Sequence, residues 1–314
     1  MVKIDLITGF LGAGKTTFLK KYANYLMESG ENICILENDF GAVNVDMMLL
    51  QDIMGENCEL EMVSGGCDAD CHRRRFKTKL ISMAMCGYDR VVVEPSGIYD
   101  VDEFFDVLRE EPLDQWYKID NVIAIVDAKL DENLSKEAEF LLASQIANAG
   151  KILISKVDTA SKEEIQRTIA YLDSAMEEFQ CKRKLKEEIV CKELATFTKD
   201  DFYAISHSGF VPENYVKLWF DQQQSFSSLY FMEVKMSEEE FYSTAEKMLQ
   251  DSSCGKIFRI KGFMKTEEGG WIELNATREN ITVSKVKEGQ EVFIVIGEGL
   301  VKERIEAYTK GTAF

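Results

Sequence analysis

Gly9-Phe10-Leu11-Gly12-Ala13-Gly14-Lys15-Thr16-Thr17 follows the apolar run Lys3–Thr8 and opens a segment in which Phe18, Tyr22 and Leu26 recur at helical spacing. Strand, glycine-rich turn and helix in that order set a helix N-terminus, with its orphan N–H groups and positive dipole end, over the end of a strand. Gly9, Gly14, Lys15 and Thr16 satisfy the spacing G-x-x-x-x-G-K-[ST]. The chemistry accounts for that spacing: glycines let backbone N–H groups converge on phosphate oxygens, the lysine reaches the outer phosphates, and the hydroxyl ligates Mg²⁺. A nucleoside triphosphate is therefore expected against Gly12, Ala13, Gly14, Lys15, Thr16 and Thr17, with Lys15 neutralising charge in hydrolysis and Thr16 on the metal.

Outward from this turn, short β-rich runs alternate with helix-period segments, the grammar of a parallel sheet wrapped by helices. Strands are expected at Lys3–Thr8, Ile33–Glu37, Leu60–Val63, Arg90–Glu94, Asn121–Val126, Lys151–Ser155 and Tyr203–Ser206. Runs such as Val91-Val92-Val93 lack polar alternation, as strands buried on both faces do. Ile165, Ile169, Leu172, Met176 and Phe179 mark one apolar helical stripe, which is core. The polar stretch Asp221–Ser228 reads as a linker. Beyond it come a strand (Leu229–Met236), a helix (Glu238–Leu249), closely spaced strands at Gly255–Met264, Trp271–Ala276, Ile281–Val286 and Glu291–Ile296, and a helix from Leu300. The expected fold is α/β: a P-loop NTPase domain over residues 1–222 with a mostly parallel sheet flanked by helices, a linker at 223–228, and a small α+β domain over 229–314.

Two further segments end in carboxylates. Arg90–Glu94 is an apolar strand followed by Pro95-Ser96-Gly97; Glu94 is placed to hold Mg²⁺ or its water, and the Gly97 amide to approach a γ-phosphate. Ser155-Lys156-Val157-Asp158 follows another apolar strand. A carboxylate at Asp158 accepts from the N1–H and exocyclic amino group of guanine, a donor pair that adenine lacks, and the Lys156 stem can lie along the base. GTP is favoured over ATP, with Ser206, in Ile205–Ser208, in a loop that could close on the base.

Composition narrows the partners. Acidic residues outnumber basic ones 55 to 37, and a net charge of −18 repels phosphate backbones and anionic lipid, so nucleic acid and membrane are not expected partners. The basic runs Arg73–Lys79 and Lys182–Lys186 read as solvated helix faces. The apolar run Ile4–Ile7 is too short for a signal peptide, no 18-residue apolar stretch occurs, and the 8 cysteines are scattered through a long chain, all of which fits a reducing cytoplasm.

Taken together, the motifs resemble those of the CobW-like GTPases, relatives of the hydrogenase and urease nickel-insertion GTPases. Gly9–Thr17 matches the family P-loop, Glu37-Asn38-Asp39-Phe40-Gly41 is similar to its switch segment, and Glu94-Pro95-Ser96-Gly97 to its E-[ST]-x-G element. The segment from Ser144-Gln145-Ile146 to Asp158 resembles the run into its NKxD motif, and Arg259-Ile260-Lys261-Gly262-Phe263 its C-terminal signature. Three departures stand out: Ser155 replaces Asn, Asp39 and Ala42 replace glutamates, and the C-x-C-C metal motif becomes Gly66-Cys67-Asp68-Ala69-Asp70-Cys71, where only Cys67 aligns. Two readings of this loop stay open. Cys67 and Cys71, with His72 adjacent and Cys58 the nearest spare thiol, are sound donors for Zn²⁺, Co²⁺ or Ni²⁺; equally, they are reduced loop cysteines without metal, His72 being a helix-start polar residue.

The resemblance implies a cytoplasmic, Mg²⁺-dependent GTPase of metallochaperone or metal-cofactor-insertion type, with Lys15, Asp39 and Glu94 catalytic and turnover slow. GTP, GDP, a metalloprotein or cofactor-containing client and a second copy of the chain are the implied partners. The alternative is a GTP-dependent activator or interaction switch that handles no free metal, motivated by the lost thiolates.

Overall fold

The computed structural model describes residues 1–39, 46–66, 68–221, 225–232, 234, 236–266, 269–309 and 312–313. Two compact units, Met1–Leu218 and Trp219–Phe314, emerge from its contacts. Phe40, Gly41, Ala42 and Cys67 lie outside the described residues.

The first unit is built on seven parallel strands: β1 (Val2–Thr8), β2 (Ile33–Asp39), β3 (Cys58–Ser64), β4 (Arg90–Pro95), β5 (Tyr117–Asp127), β6 (Lys151–Ser155) and β7 (Ile189–Cys191), in the order β3-β2-β4-β1-β5-β6-β7. The helices are α1 (Lys15–Glu28), α2 (Asp46–Leu50), α3 (Ala69–Ala84), α4 (Val101–Leu108), α5 (Leu113–Trp116), α6 (Lys136–Ala147), α7 (Lys162–Glu178) and α8 (Lys199–Ile205). Val91, Val92 and Val93 are wholly buried because helices cover both faces of the sheet. Phe76, Leu80, Phe104, Leu142 and Leu172 pack one face; Phe18, Tyr22, Leu26 and Phe202 pack the other. The chain leaves β1 towards β2 on one side and returns to β5 on the other, so β1 and β4 border the crevice where an α/β sheet of this kind takes its ligand.

Tyr203–Ser206 is not a strand. A capping box between Thr198 and Asp201 starts α8, Phe202 and Ile205 bury one turn apart, and Phe202 stacks on Tyr25 at 5.6 Å. Tertiary packing and the cap thus override the local β preference of Tyr and Ile. The seventh strand is instead Ile189–Cys191, too short to announce itself by pattern. The basic run at 182–186 is also not a plain solvated face: Arg183 is 8% exposed and donates to the carbonyls of Ala147 and Ala149 at 2.7 and 2.8 Å, closing the end of α6. At 73–79 Arg73 and Lys77 share Glu110 at 2.5 and 2.6 Å, with partial exposure, as a surface ion-pair group.

The second unit is an antiparallel sheet. β8 (Ser227–Met232), β9 (Lys256–Lys265), β10 (Trp271–Ala276), β11 (Ile281–Val286) and β12 (Val292–Glu298) stand in the order β11-β10-β9-β12-β8, with the two-residue β13 (Thr312–Ala313) at the edge. Helices α9 (Glu238–Gln250) and α10 (Lys302–Thr309) bury Phe241, Ala245, Met248 and Ile305 in the core. Gly262 is required where it stands: a Cβ there would meet the Phe241 ring at 2.5 Å.

Candidate functional site

The site forms at the C-terminal ends of β1, β4, β5 and β6. Gly9 follows β1 at φ 142°, and a Cβ on it would stand 2.1 Å from the Ile125 carbonyl oxygen of β5, so only glycine fits. Gly14, at φ 95° and ψ 24°, is the N-cap of α1 and offers no side chain to the first-turn N–H groups, which leaves those donors to an anion. Lys15 starts α1, is 6% exposed, and its ammonium donates to the Gly9 carbonyl at 3.0 Å, holding a cation over the turn.

Two segments distant in sequence are tied onto this turn. The Thr16 hydroxyl donates to Glu94 Oε1 at 2.8 Å, joining α1 to the end of β4. The turn after Glu94 lies against the glycine-rich turn so closely that a Cβ on Gly97 would be 2.6 Å from the Leu11 nitrogen. Gln145, wholly buried in α6, donates to the Gly97 carbonyl at 3.0 Å and keeps it there. On the other side, the Ser155 hydroxyl donates to the Ala13 carbonyl at 2.7 Å. The hydroxyl that replaces the family amide therefore makes a direct tie between the two segments.

Lys156 adopts φ 55°, in the left-handed region, and its ammonium pairs with Asp127 at the end of β5 at 2.5 Å. The pair holds the lysine stem beside the turn in which Asp158 stands exposed. Asp127 carries no motif of its own, and although Gln145 stands in the segment that resembles the run into NKxD, its tie to Gly97, like that of Asp127 to Lys156, is set by the β5–β6 register and by α6. Thr16 and Glu94 place a hydroxyl and a carboxylate, both hard oxygen donors, side by side, a donor set that fits Mg²⁺. Glu37 lies in register with Glu94 on the adjacent strand and is 4% exposed, so a second carboxylate stands next to the first. Asp39 ends β2, in register with Ser64 of β3.

Ser206 is not brought to this group. It is the C-cap of α8, and its carbonyl accepts from the Asn121 side chain at 3.0 Å. Asn121 stands six positions before Asp127 on β5, roughly 20 Å back along the strand, because a parallel strand rises about 3.3 Å per residue. The segment that does follow a neighbouring strand end is Lys192–Thr196 after β7, where the Leu194 carbonyl accepts from Lys21 of α1 at 3.1 Å.

At the cysteine loop, Asp68 is the N-cap of α3 and accepts from the Cys71 N–H at 2.7 Å. Cys71 is half-buried; Cys67 lies outside the described residues. His72 is wholly buried, with Nδ1 2.9 Å from the Gly65 carbonyl and Nε2 2.8 Å from the Asn38 amide, so both ring nitrogens are engaged. Burial lowers its pKa, which makes the ring neutral. Cys58 is not a spare donor. It opens β3, six residues before Ser64 and so about 20 Å from the loop, and burial pushes its thiol up to about 11. Among the described residues no group of three His, Cys, Asp or Glu side chains is disposed to hold a metal ion.

A glycine-rich turn on a helix N-terminus, with a lysine, a hydroxyl and a carboxylate gathered on it over a parallel sheet, defines a P-loop nucleoside-triphosphate-binding protein. Residues 3–183 match the model of the CobW/HypB/UreG nucleotide-binding domain, and the chain belongs to that family. It is similar to the zinc chaperone YjiA of Escherichia coli K12, with 34% identity over 175 residues, 52% of this chain and 52% of that protein. The zinc chaperone YeiR of the same organism shares 30% over 169 residues, 53% of this chain and 50% of YeiR. The zinc-regulated GTPase metalloprotein activator 1 of Schizosaccharomyces pombe shares 27% over 169 residues, 52% of this chain and 40% of the relative. The chain thus spans about half the length of the relatives it matches, or less. No helix among the described residues is long and apolar enough to cross a membrane.

Proposed function

We propose that this chain is a cytoplasmic, Mg²⁺-dependent GTPase that carries a transition metal, zinc first among the candidates, to a client metalloprotein. The observation that carries the reading is the Thr16–Glu94 hydrogen bond, which unites the phosphate turn with a strand-end carboxylate. The guanine preference rests on Asp158 exposed beside the anchored Lys156. The metal cargo rests on family membership and on three relatives named for zinc.

In this reading Gly12–Thr17 bind the phosphates through backbone N–H groups, and Lys15 neutralises the charge that develops between the β- and γ-phosphates. Mg²⁺, when bound at Thr16 and Glu94, supplies further neutralisation of the same charge. Asp39 or Glu94 orients the attacking water, and Gly97 places its amide by the γ-phosphate. Water attacks phosphorus, the bond to the β–γ bridging oxygen breaks, and GDP and phosphate leave. Turnover is slow, because neither a catalytic glutamine motif nor an arginine finger is recognisable in the sequence; a client or a second copy of the chain supplies the missing group.

A second reading, a GTP-dependent interaction switch without free metal, is favoured by the inward commitment of His72 and the remoteness of Cys58. Binding of Zn²⁺, Co²⁺ and Ni²⁺ to reduced protein with GTP or GDP separates the two. The chaperone reading expects nucleotide-dependent binding that Cys67→Ser and Cys71→Ser abolish. Metal-free protein with intact GTP hydrolysis selects the switch.

A further inference from the structure

The His72 ring spans the space between two segments that the proposed cycle needs to connect. Its Nδ1 faces the carbonyl of Gly65, in the loop that leads to the cysteines, and its Nε2 faces the side chain of Asn38 near the end of β2. Asn38 in turn accepts from the Ser96 N–H at 2.9 Å through its own carbonyl, and Ser96 lies between Glu94 and Gly97 in the turn against the phosphate site. The path from that turn to the cysteine loop is therefore two side chains long: Ser96 to Asn38, Asn38 to His72, His72 to Gly65. A neutral ring that donates from Nδ1 to a carbonyl must accept at Nε2, so the Asn38 amide presents its NH₂ there. Consistently, the far side of the Asn38 amide meets no hydrogen-bond partner among the described residues. Gly66 also lies close to His72, since a Cβ on Gly66 would stand 3.2 Å from the His72 Cβ and from its backbone nitrogen.

We infer that His72 is a positioning residue that couples the nucleotide state read at Ser96–Gly97 to the start of α3, where Cys71 stands, through a bridge from Asn38 to Gly65. This rests on the GTPase reading above. When the Ser96 turn moves with the γ-phosphate, Asn38 moves with it. The buried imidazole, hydrogen-bonded at both ends, carries that shift to Gly65 and so to the start of α3, where Cys71 stands. A rigid planar ring in a packed site transmits displacement where a flexible side chain would absorb it.

Alkylation of Cys71 by iodoacetamide, quantified on its own peptide by mass spectrometry in the full chain, reads the coupling. Wild-type protein is compared with GDP and with a non-hydrolysable GTP analogue, and analogue affinity is measured in parallel. The wild-type rates are expected to differ between the two nucleotides by about fivefold or more, the lower range of allosteric coupling. His72→Gln can reach Asn38 but not Gly65, and His72→Asn the reverse. Each is expected to bring the ratio close to one while the analogue still binds. Arg75→Met removes a different tie, the 2.9 Å bond to the Ser64 carbonyl at the end of β3, and is expected to keep the wild-type ratio. A ratio unchanged in both His72 variants, or lost equally in Arg75→Met, overturns the bridge. Wild-type protein that binds the analogue with no change at Cys71 overturns the coupling alone, and protein that fails to bind it overturns the GTPase reading first.

Discussion

The phosphate turn follows β1 and the cysteine loop follows β3, with β4 and β2 between them in the sheet, and the two are built in opposite ways. Around Gly9–Thr17 four ties come from other segments: Thr16 is held by Glu94, the Gly97 carbonyl by Gln145, Lys156 by Asp127, and the Ala13 carbonyl by Ser155. At the loop, two of the three family thiolate positions are occupied by Ala69 and Asp70, and the neighbouring imidazole points inward to Asn38. The difference teaches where change is tolerated. A departure at Ser155 keeps its hydrogen bond, because a hydroxyl can still donate to the Ala13 carbonyl. Where Ala69 and Asp70 replace thiolates, the described residues hold no group of three His, Cys, Asp or Glu side chains disposed to take a metal ion.

The largest effect that sharpens this contrast belongs to Lys15. Its buried ammonium is the cation fixed on the phosphate turn, so Lys15→Ala is expected to lower GTP turnover on the order of 10³-fold, while zinc binding to GDP-loaded protein holds. Parallel hydrolysis and metal-binding assays check it. Equal loss of both would erase the distinction between the two regions.

A smaller effect lies between them. Burial, with the Asp100 carboxylate beside it, pushes the Glu103 carboxyl in α4 up to about 7 from an ordinary 4.5. Between these values the folded protein holds a proton that the unfolded chain has lost, so stability falls as pH rises through that window and is lower at pH 8 than at pH 4.5 as far as this group is concerned. Glu103→Gln removes that loss. Denaturation in urea is expected to give a gain of about 2 kcal/mol at pH 8 and little change at pH 4.5. A gain of the same size at both pH values would exclude titration as its source.

The smallest effect concerns Cys58. Buried at the far end of β3, it is expected to lose about 1 kcal/mol of stability as Cys58→Ala and to leave metal stoichiometry unchanged. A drop in bound zinc in folded variant protein would place a thiol in the site that the strand geometry keeps out of it.

How far the sequence could be read depended on whether a signal was local. The P-loop spacing, the apolar strands before it and after it, the carboxylate at Glu94 and the Ser155–Asp158 turn are contiguous patterns, each legible from its own residues. Tyr203–Ser206 misled because its β-prone residues are pulled into α8 by the Thr198 cap and by Phe202 stacking on Tyr25. With that helix, Ser206 went to Asn121 in the middle of β5, away from the strand end where the site forms. Ile189–Cys191 was too short to call attention to itself, and Arg183 looked like surface charge until two α6-end carbonyls claimed it.

By itself, then, the sequence determined that this protein carries a P-loop on a parallel sheet and a second, antiparallel unit, because backbone geometry and side-chain period are written residue by residue. Only the tertiary structure decided what holds that loop and where the remaining chemistry lies. Gln145, Asp127 and Glu37 enter through strand register and helix packing, Cys58 leaves by the same route, and His72 becomes an inward bridge because burial makes its ring nitrogens seek partners on other segments.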